Sequence, residues 1–216
     1  METSRLTAER IKEYLKQGKR FDGRGLGDFR EIFIDGMVSN KAEGSARVRL
    51  GKTEVVVGVK LDVAEPYPDS PNKGNLMVTA ELLPLSSPRF ESGPPKFPAI
   101  ELGRLVDRAI RESKFIDFEK LCIKEGEKVW SVFIDIYSIN DDGNLVDAAG
   151  IAAIAALKWT RMPEYDEKED KVIYGELTEK KIPLTKDIPI CITAHKIDGN
   201  IIDDPTLEEE DVSEAK

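Results

Sequence analysis

Three arginines are the side chains whose type and spacing are best suited to chemistry. Arg104, Arg108 and Arg111 follow one another at intervals of four and three residues within a segment of helical periodicity. This spacing predicts three guanidinium groups on one face of a helix. Such groups can bind successive phosphates bidentately, and no accessible pH neutralises them. The pattern therefore indicates a candidate site for a polyphosphate ligand such as a nucleic acid.

The same arginines also suit an ordinary charged helix surface. Glu101 precedes Arg104 by three residues, and Asp107 precedes Arg111 by four. Pairs at these spacings face each other on a helix and contribute only about 0.3–0.5 kcal/mol each. Spacing alone leaves both interpretations open.

Other kinds of site find little support in the sequence. Cys122 and Cys191 lie in apolar runs and are predicted to be buried thiols, too few for a disulfide framework. His195 is the single histidine, so neither a nucleophilic triad nor a zinc site can be assembled. We predict that it is a structural residue or lies on the surface. Neither G-x-G-x-x-G nor the Walker pattern occurs. We predict no catalytic residue and no metal site.

Charge and length indicate a globular protein with no global attraction to polyanions. The 216 residues include 32 Lys+Arg and 41 Asp+Glu, for a net charge of −9. Seven of the acids lie in an acidic tail, residues 203–216, so the remainder is nearly balanced. The sequence has no apolar run long enough for a membrane span and no signal peptide, so we expect a cytoplasmic protein that does not bind membranes.

The hydrophobic periodicity predicts helices and strands that succeed one another along the whole chain. Helices are expected at 4–17, 99–115 and 145–160. Strands are expected at 31–34, 45–50, 53–63, 76–85, 128–139, 181–185, 188–195 and 200–203. The glycine-containing segment 19–25 is predicted to be a solvated loop with exposed basic side chains, and residues 161–180 a charged loop. Strands interleaved with covering helices predict an α+β fold, a mixed sheet covered by helices.

Several ordered motifs together resemble the RNase PH family, and in detail the non-catalytic RNase PH-like subunit of the archaeal exosome. The resemblance covers essentially the whole chain, which we expect to form a single RNase PH-like domain over residues 1–216. The segments that carry it are Arg20–Arg24, Glu101–Arg108, Lys128–Asp135, Asn144–Ala148 and Asp204–Glu210.

The resemblance implies a fold of two β-α-β-α-type halves and a role in phosphorolytic 3′-to-5′ RNA degradation. The implied partners are a catalytic RNase PH-like subunit, with which the non-catalytic one forms heterodimers in a hexameric ring, RNA-binding cap subunits, and single-stranded RNA. The non-catalytic subunit would structure its partner's active site, holding no cofactor, with inorganic phosphate as co-substrate at the partner's site. Arg104 and Arg108 match RNA-holding positions, and Arg111 is their neighbour.

The resemblance also implies that this chain is inert alone. Active relatives carry two acids six residues apart; Asp187 matches the second, but Lys181 stands at the first. Replacing a carboxylate by an ammonium reverses the local charge at the position where a leaving oxygen must be protonated or a metal held, so the role of that acid is not filled. The phosphate loop of active members is poorly matched by Ser86–Pro98. Two alternatives stay open, a self-sufficient phosphorolytic 3′-to-5′ exoribonuclease and a metabolic or ribosome-associated protein of this fold class.

Relatives also continue past the acidic stretch with a further strand and a closing helix. We therefore expect a shortened version of the family fold, whose sheet exposes an apolar face or edge.

Overall fold

The fold is built from ten strands and four α-helices in the part of the chain that the computed structural model describes, residues 3–166 and 168–216. The helices are α1 (Arg5–Lys16), α2 (Phe97–Glu112), α3 (Leu145–Trp159) and α4 (Leu207–Val212). The strands are β1 (Ile32–Gly36), β2 (Gly44–Leu50), β3 (Thr53–Ala64), β4 (Asn75–Leu82), β5 (Cys122–Lys124), β6 (Lys128–Asn140), β7 (Arg161–Asp166), β8 (Lys171–Lys181), β9 (Ala194–Ile197) and β10 (Asn200–Asp203). A short 3₁₀ helix, Phe118–Leu121, precedes β5.

A mixed six-stranded sheet forms the centre of the molecule. Its spatial order is β1-β2-β3-β6-β4, with the short β5 pairing with β6 beside this path. All neighbours are antiparallel except β4, which runs parallel to β6. The chain between β4 and β6 is a crossover containing α2, as a parallel pair requires.

The two long helices cover one face of this sheet. In β3, alternate residues from Val55 to Leu61 are fully buried, because a strand sends every second side chain to the same face. Helix α2 packs on β4, and α3 packs on β2 and β3. Five alanines of α3 have no exposed surface, which lets the helix approach the sheet closely. The approach is closest at Gly44, where an added Cβ would lie 2.1 Å from Thr160 Oγ1.

A second, smaller core lies under the N-terminal helix. Ser4 caps α1 by accepting a hydrogen bond from the Thr7 backbone N–H at 3.2 Å. The apolar face of α1, formed by Ile11 and Leu15, packs with Ile197 and Ile202 of the β9–β10 hairpin. The first and last parts of the chain therefore fold against each other.

Most predicted elements are confirmed, with small changes at their ends. Helix α2 begins two residues earlier than predicted and ends at Glu112, while β4 ends at Leu82 instead of residue 85. The α1, α3, β2, β3, β6 and β10 predictions agree with the structure to within a residue or so at each end. The short β5 was not predicted.

The predicted charged loop over residues 161–180 is wrong. Strands β7 and β8 form an antiparallel hairpin there, with Arg161 opposite Lys181 and Asp166 opposite Lys171. The alternation is disguised by charged residues on both faces, because most of β8 is solvent-exposed and needs few apolar side chains.

The strands predicted at 181–185 and 188–195 are also mostly absent. Lys181 ends β8, Leu184 makes only an isolated bridge to Ile116, and β9 begins at Ala194. Residues 188–193 are not assigned to a strand, although they are rich in isoleucine. The side chains of Ile188, Ile190 and Ile192 are exposed by 48%, 77% and 61%. β-propensity favours an extended chain but does not provide a neighbouring strand.

The prediction of a solvated loop at 19–25 is wrong for its arginines. Arg20 is only 2% exposed, and its guanidinium donates to the Glu209 carboxylate at 2.9 and 2.5 Å. Arg24 and Arg30 donate to the fully buried Asp204. Part of the acidic tail is thus the counter-charge of a buried cluster, because an arginine removed from water must be paired.

The Asp204 carboxyl remains ionised in this cluster. Burial alone would raise its pKa, but hydrogen bonds from Arg30 and Asn144 outweigh burial and hold the pKa below its usual value.

The cysteines and the histidine take structural positions. Cys122 and Cys191 are free thiols and are only half-buried, less than the predicted buried positions. His195 is buried, and neither ring nitrogen has a hydrogen-bond partner in the described chain. Burial lowers the pKa of the His195 imidazole, and Lys216 lowers it further. Among the described residues, none of the helices is both long and apolar enough to cross a bilayer.

Candidate RNA-binding surface

Helix α2 places the three predicted arginines on its exposed side. The buried residues of the helix hold its opposite side against the body of the protein. They are Ala99, Leu102, Gly103, Val106 and Ile110. Arg104, Arg108 and Arg111 are all exposed. The helix is thus anchored by its apolar side, and it presents three guanidinium groups to solvent on one face, as the spacing predicts.

Arg111 is held by the protein itself. Its guanidinium donates to the Asp107 carboxylate at 2.8 and 3.1 Å and to the backbone carbonyl of Leu76 at 3.1 Å. The hydrogen bond with Asp107 raises the pKa of Arg111, and partial burial opposes that rise. The predicted Asp107–Arg111 pair is present within the helix, and the hydrogen bond to the Leu76 carbonyl ties α2 to β4. Arg111 therefore retains few donors for an external ligand.

Arg108 and Arg104 are more available. Arg108 pairs with Glu112 at 3.0 Å, but both side chains are about two-thirds exposed, so water competes for the pair. No hydrogen bond or ion pair involves Arg104 within residues 3–166 and 168–216. The predicted Glu101–Arg104 pair is wrong, because Glu101 pairs instead with Lys216 at 3.3 Å. Arg104 has all its donors available, and Arg108 can exchange one weak pair for a ligand.

An exposed aromatic side chain accompanies the arginines. Tyr67, in the loop that follows β3, is 47% exposed. It lies close enough to Arg111 to contribute to the raised pKa of that residue, after the larger effect of Asp107. Aromatic rings beside cations are typical of surfaces that bind single-stranded RNA, since unpaired bases stack on them. The prediction overlooked Tyr67; the only available signal was an aromatic residue in a Pro/Gly-rich loop.

The positions expected to hold a catalytic pair are not arranged as one. Lys181 ends β8 with an exposed side chain, and Asp187 is exposed in the irregular segment after it. Nowhere in the described chain do three or more His, Cys, Asp or Glu side chains form a group suited to a metal ion. Asp187 is the only carboxylate of the expected pair, because the other position is occupied by an ammonium group.

Two carboxylates of the chain, Asp147 and Glu210, lie at the N-terminus of α3. Asp147, fully buried in the first turn, accepts hydrogen bonds from Asn144 Nδ2, the Thr193 backbone N–H and Thr193 Oγ1. The Asn144 backbone N–H donates to Glu210 at 2.8 Å. A helix N-terminus attracts anions through its free N–H groups and its dipole. Here Glu210 accepts one backbone N–H at this end of the helix, and Asp147 adds a second carboxylate beside it.

Two family models match most of the chain. The model described as 3′ exoribonuclease family, domain 1, matches residues 28–163, and the model described as 3′ exoribonuclease family, domain 2, matches residues 187–216. Among curated proteins, the exosome complex component Rrp42 of Methanocella arvoryzae is 52% identical over 200 residues, 93% of this chain and 74% of that protein. The Rrp42 of Methanothermobacter thermautotrophicus is 46% identical over 98% of this chain and 78% of that protein.

Solved structures show the same fold. A chain of the Archaeoglobus fulgidus exosome with RNA bound to the active site superposes with a TM-score of 0.87 and 47% identity, covering 97% of this chain and 79% of that one. A chain of an archaeal exosome core superposes with a TM-score of 0.82 and 43% identity, covering 97% and 77%.

The chain belongs to the RNase PH family of 3′ exoribonucleases and has the RNase PH-like α+β fold. The predicted family and fold class are confirmed.

Proposed function

We propose that this protein is the non-catalytic RNase PH-like subunit of an archaeal exosome, which binds RNA and structures the active site of a catalytic partner during phosphorolytic 3′-to-5′ degradation. The observation that carries the proposal is the exposed arginine face of α2 in a chain about half identical to exosome components named Rrp42. Arg104 and Arg108 are the RNA-binding residues, because their donors are free or weakly held. Arg111 aligns the helix against β4 and borders the RNA.

Two features support the absence of catalysis in this subunit. Lys181 replaces one of the two expected acids, so no carboxyl group at that position can protonate a leaving oxygen. Asp147 and Glu210 occupy the N-terminus of α3, so an inorganic phosphate would meet negative charge there. The chain binds no cofactor of its own, and inorganic phosphate is the co-substrate at the partner's site.

The complex assembles from several kinds of subunit. This chain pairs with a catalytic RNase PH-like subunit, and three such heterodimers close a hexameric ring that carries RNA-binding cap subunits. Its balanced body charge supports a large protein interface as its main contact. The complex acts on single-stranded RNA in the cytoplasm.

The decisive experiment compares this chain alone, the catalytic partner alone and the reconstituted complex for phosphate-dependent release of nucleoside diphosphates from a 3′-labelled oligonucleotide. We expect no release by this chain alone and robust release by the complex. Robust release by this chain alone would replace the proposal with the self-sufficient exoribonuclease. Failure of the assembled complex to bind single-stranded RNA would favour a metabolic or ribosome-associated role.

A Lys181→Asp variant makes this test sharper. The substitution restores an acid six residues before Asp187, but it leaves the carboxylates of Asp147 and Glu210 at the α3 N-terminus. We therefore expect the variant chain to stay inactive alone. Activity gained from this single change would show that the α3 carboxylates do not block phosphate.

A further inference from the structure

A cleft of ≈ 610 Å³ opens at the end of the molecule where β4, α2, α3 and α4 meet. It lies between the C-terminal end of β4, the loop that leads to α2, the first turns of α2 and α3, and α4. Arg104, Arg108 and Arg111 do not line it. Its volume is typical of a site that encloses several side chains or a small molecule, and is far larger than a single ion requires. We name it the α4 cleft.

The walls of the α4 cleft are largely apolar. Leu82, Leu83 and Phe90 come from β4 and the loop after it, Leu145 and Val146 from α3, and Leu207 from α4. All six are only partly buried, so each retains apolar surface in contact with water. A ligand that covers such surface gains about 25 cal/mol per Å² of apolar area removed from water.

The charged side chains around these walls are predominantly acidic. Five acidic and three basic side chains line the cleft. Each basic side chain already has an acidic partner, in the pairs Arg89–Asp211 at 2.6 Å, Lys216–Glu101 at 3.3 Å and Lys96–Glu91. The lining therefore carries excess negative charge, which disfavours a phosphate or an RNA strand.

Two partly buried acids supply much of this excess. Asp141 accepts a hydrogen bond from the Gly143 backbone N–H at 3.2 Å, and Glu210 accepts one from Asn144 at 2.8 Å. Burial raises the pKa of both carboxyl groups. For Glu210 the neighbouring charge of Asp141 also raises the pKa, while the Asn144 hydrogen bond and, more weakly, the charges of Lys216 and Arg30 lower it. A cation placed between them would relieve this repulsion.

We propose that the α4 cleft is a docking site for a segment of a partner protein that presents an arginine or lysine side chain flanked by apolar residues. The cationic group meets Asp141 and Glu210, and the flanking residues cover the leucine and phenylalanine walls. Charge complementarity selects a basic segment, and the volume and apolar walls favour a peptide over a small ion. The site is separate from the arginine face, so RNA and the segment bind at the same time.

The test uses the full chain with ¹³C-labelled leucine and valine methyl groups, titrated with the peptide acetyl-Leu-Arg-Leu-amide. We expect shifts at Leu83, Val146 and Leu207, and about tenfold weaker binding of acetyl-Leu-Glu-Leu-amide. The variant D141N/E210Q keeps an acceptor oxygen for each backbone N–H and should weaken the arginine peptide about tenfold. Glu208→Gln, an exposed position of α4 that does not line the cleft, is the matched control and should change nothing.

A second variant tests the proposal independently if D141N/E210Q does not fold. Leu83→Lys places a cation on a partly exposed wall and should block the peptide in a chain that still melts cooperatively. Unshifted cleft methyls, or equal binding by D141N/E210Q, would overturn the proposal. Equal shifts with spermidine would reassign the cleft to small cations, and shifts with hexauridylate would reassign it to RNA. Arg104→Ala/Arg108→Ala should leave peptide binding unchanged, so failure here and failure of the proposed RNA role are distinguishable.

Discussion

Replacing Arg104 and Arg108 together by alanine should lower the salt dependence of RNA binding by a calculable amount. Each phosphate neutralised on a single strand contributes about 0.7 to the slope of log affinity against log salt. Because Arg104 has no partner in the described chain and Arg108 has only an exposed one, each is free to neutralise one phosphate. The double variant should thus lose about 1.4 units of slope.

The same slope gives a directly measurable ratio. For a fourfold rise in salt, the affinity of the unaltered complex should fall about sevenfold more than that of the double variant. The assay is fluorescence anisotropy of a labelled oligouridylate on the assembled complex, held without inorganic phosphate so that the RNA is not degraded, at several salt concentrations.

Two control variants separate charge from geometry. Arg104→Lys/Arg108→Lys keeps both charges, so its slope should match that of the unaltered complex even if affinity falls. Adding Arg111→Ala to the double alanine variant should change the slope little, since Asp107 and the Leu76 carbonyl already hold that guanidinium. An unaltered slope in the double alanine variant would refute the assignment and make both arginines ordinary surface residues.

Three further predictions concern stability and reactivity. Gly44→Ala should lower the free energy of unfolding by about 1–3 kcal/mol in denaturant titrations, because its methyl group would collide with Thr160. Asp204→Ala should lower the free energy of unfolding by about 3–5 kcal/mol, since it leaves Arg24 and Arg30 without their buried counter-charge. The folded-state pKa of Asp204 is lowered, so its contribution to the free energy of unfolding is full above its unfolded pKa of about 3.9. That contribution is lost as pH falls from there through the lower folded-state pKa. A melting temperature that stays constant between pH 5 and pH 2 would contradict this. Burial raises the pKa of the Cys191 thiol to about 11. The rate of Cys191 alkylation should therefore keep rising with pH up to about pH 11, because the thiolate is the reacting form. A rate that levels off near pH 9 would contradict this prediction.

The sequence predicts well those elements whose own residues determine them. Strand β3 alternates buried and partly buried residues from Thr53 to Leu61, and α2 has a continuous apolar side, so local periodicity is sufficient for both. The arginine face of α2 follows from the same periodicity. The β7–β8 hairpin was missed because both of its faces carry charge, and a mostly exposed strand lacks the apolar signal.

Features that depend on distant residues could not be predicted. Arg20 and Glu209 are 189 positions apart, and nothing near Arg20 reveals that a carboxylate will reach it. The availability of Arg104 also depends on a distant residue, because its expected partner Glu101 forms an ion pair with Lys216 instead. The order of the elements along the chain predicts neither the α4 cleft nor the contact of Glu210 with the α3 N-terminus, since both depend on where α4 packs.

The cluster that joins Arg20, Arg24 and Arg30 to Asp204 and Glu209 has a consequence for synthesis. While the ribosome is still translating the central sheet, these three guanidinium groups have no carboxylate to receive them and must stay hydrated. The region that emerges first is therefore among the last to reach its native arrangement. A nascent chain stalled before codon 204 should leave residues 19–30 open to trypsin, whereas a released chain should protect them.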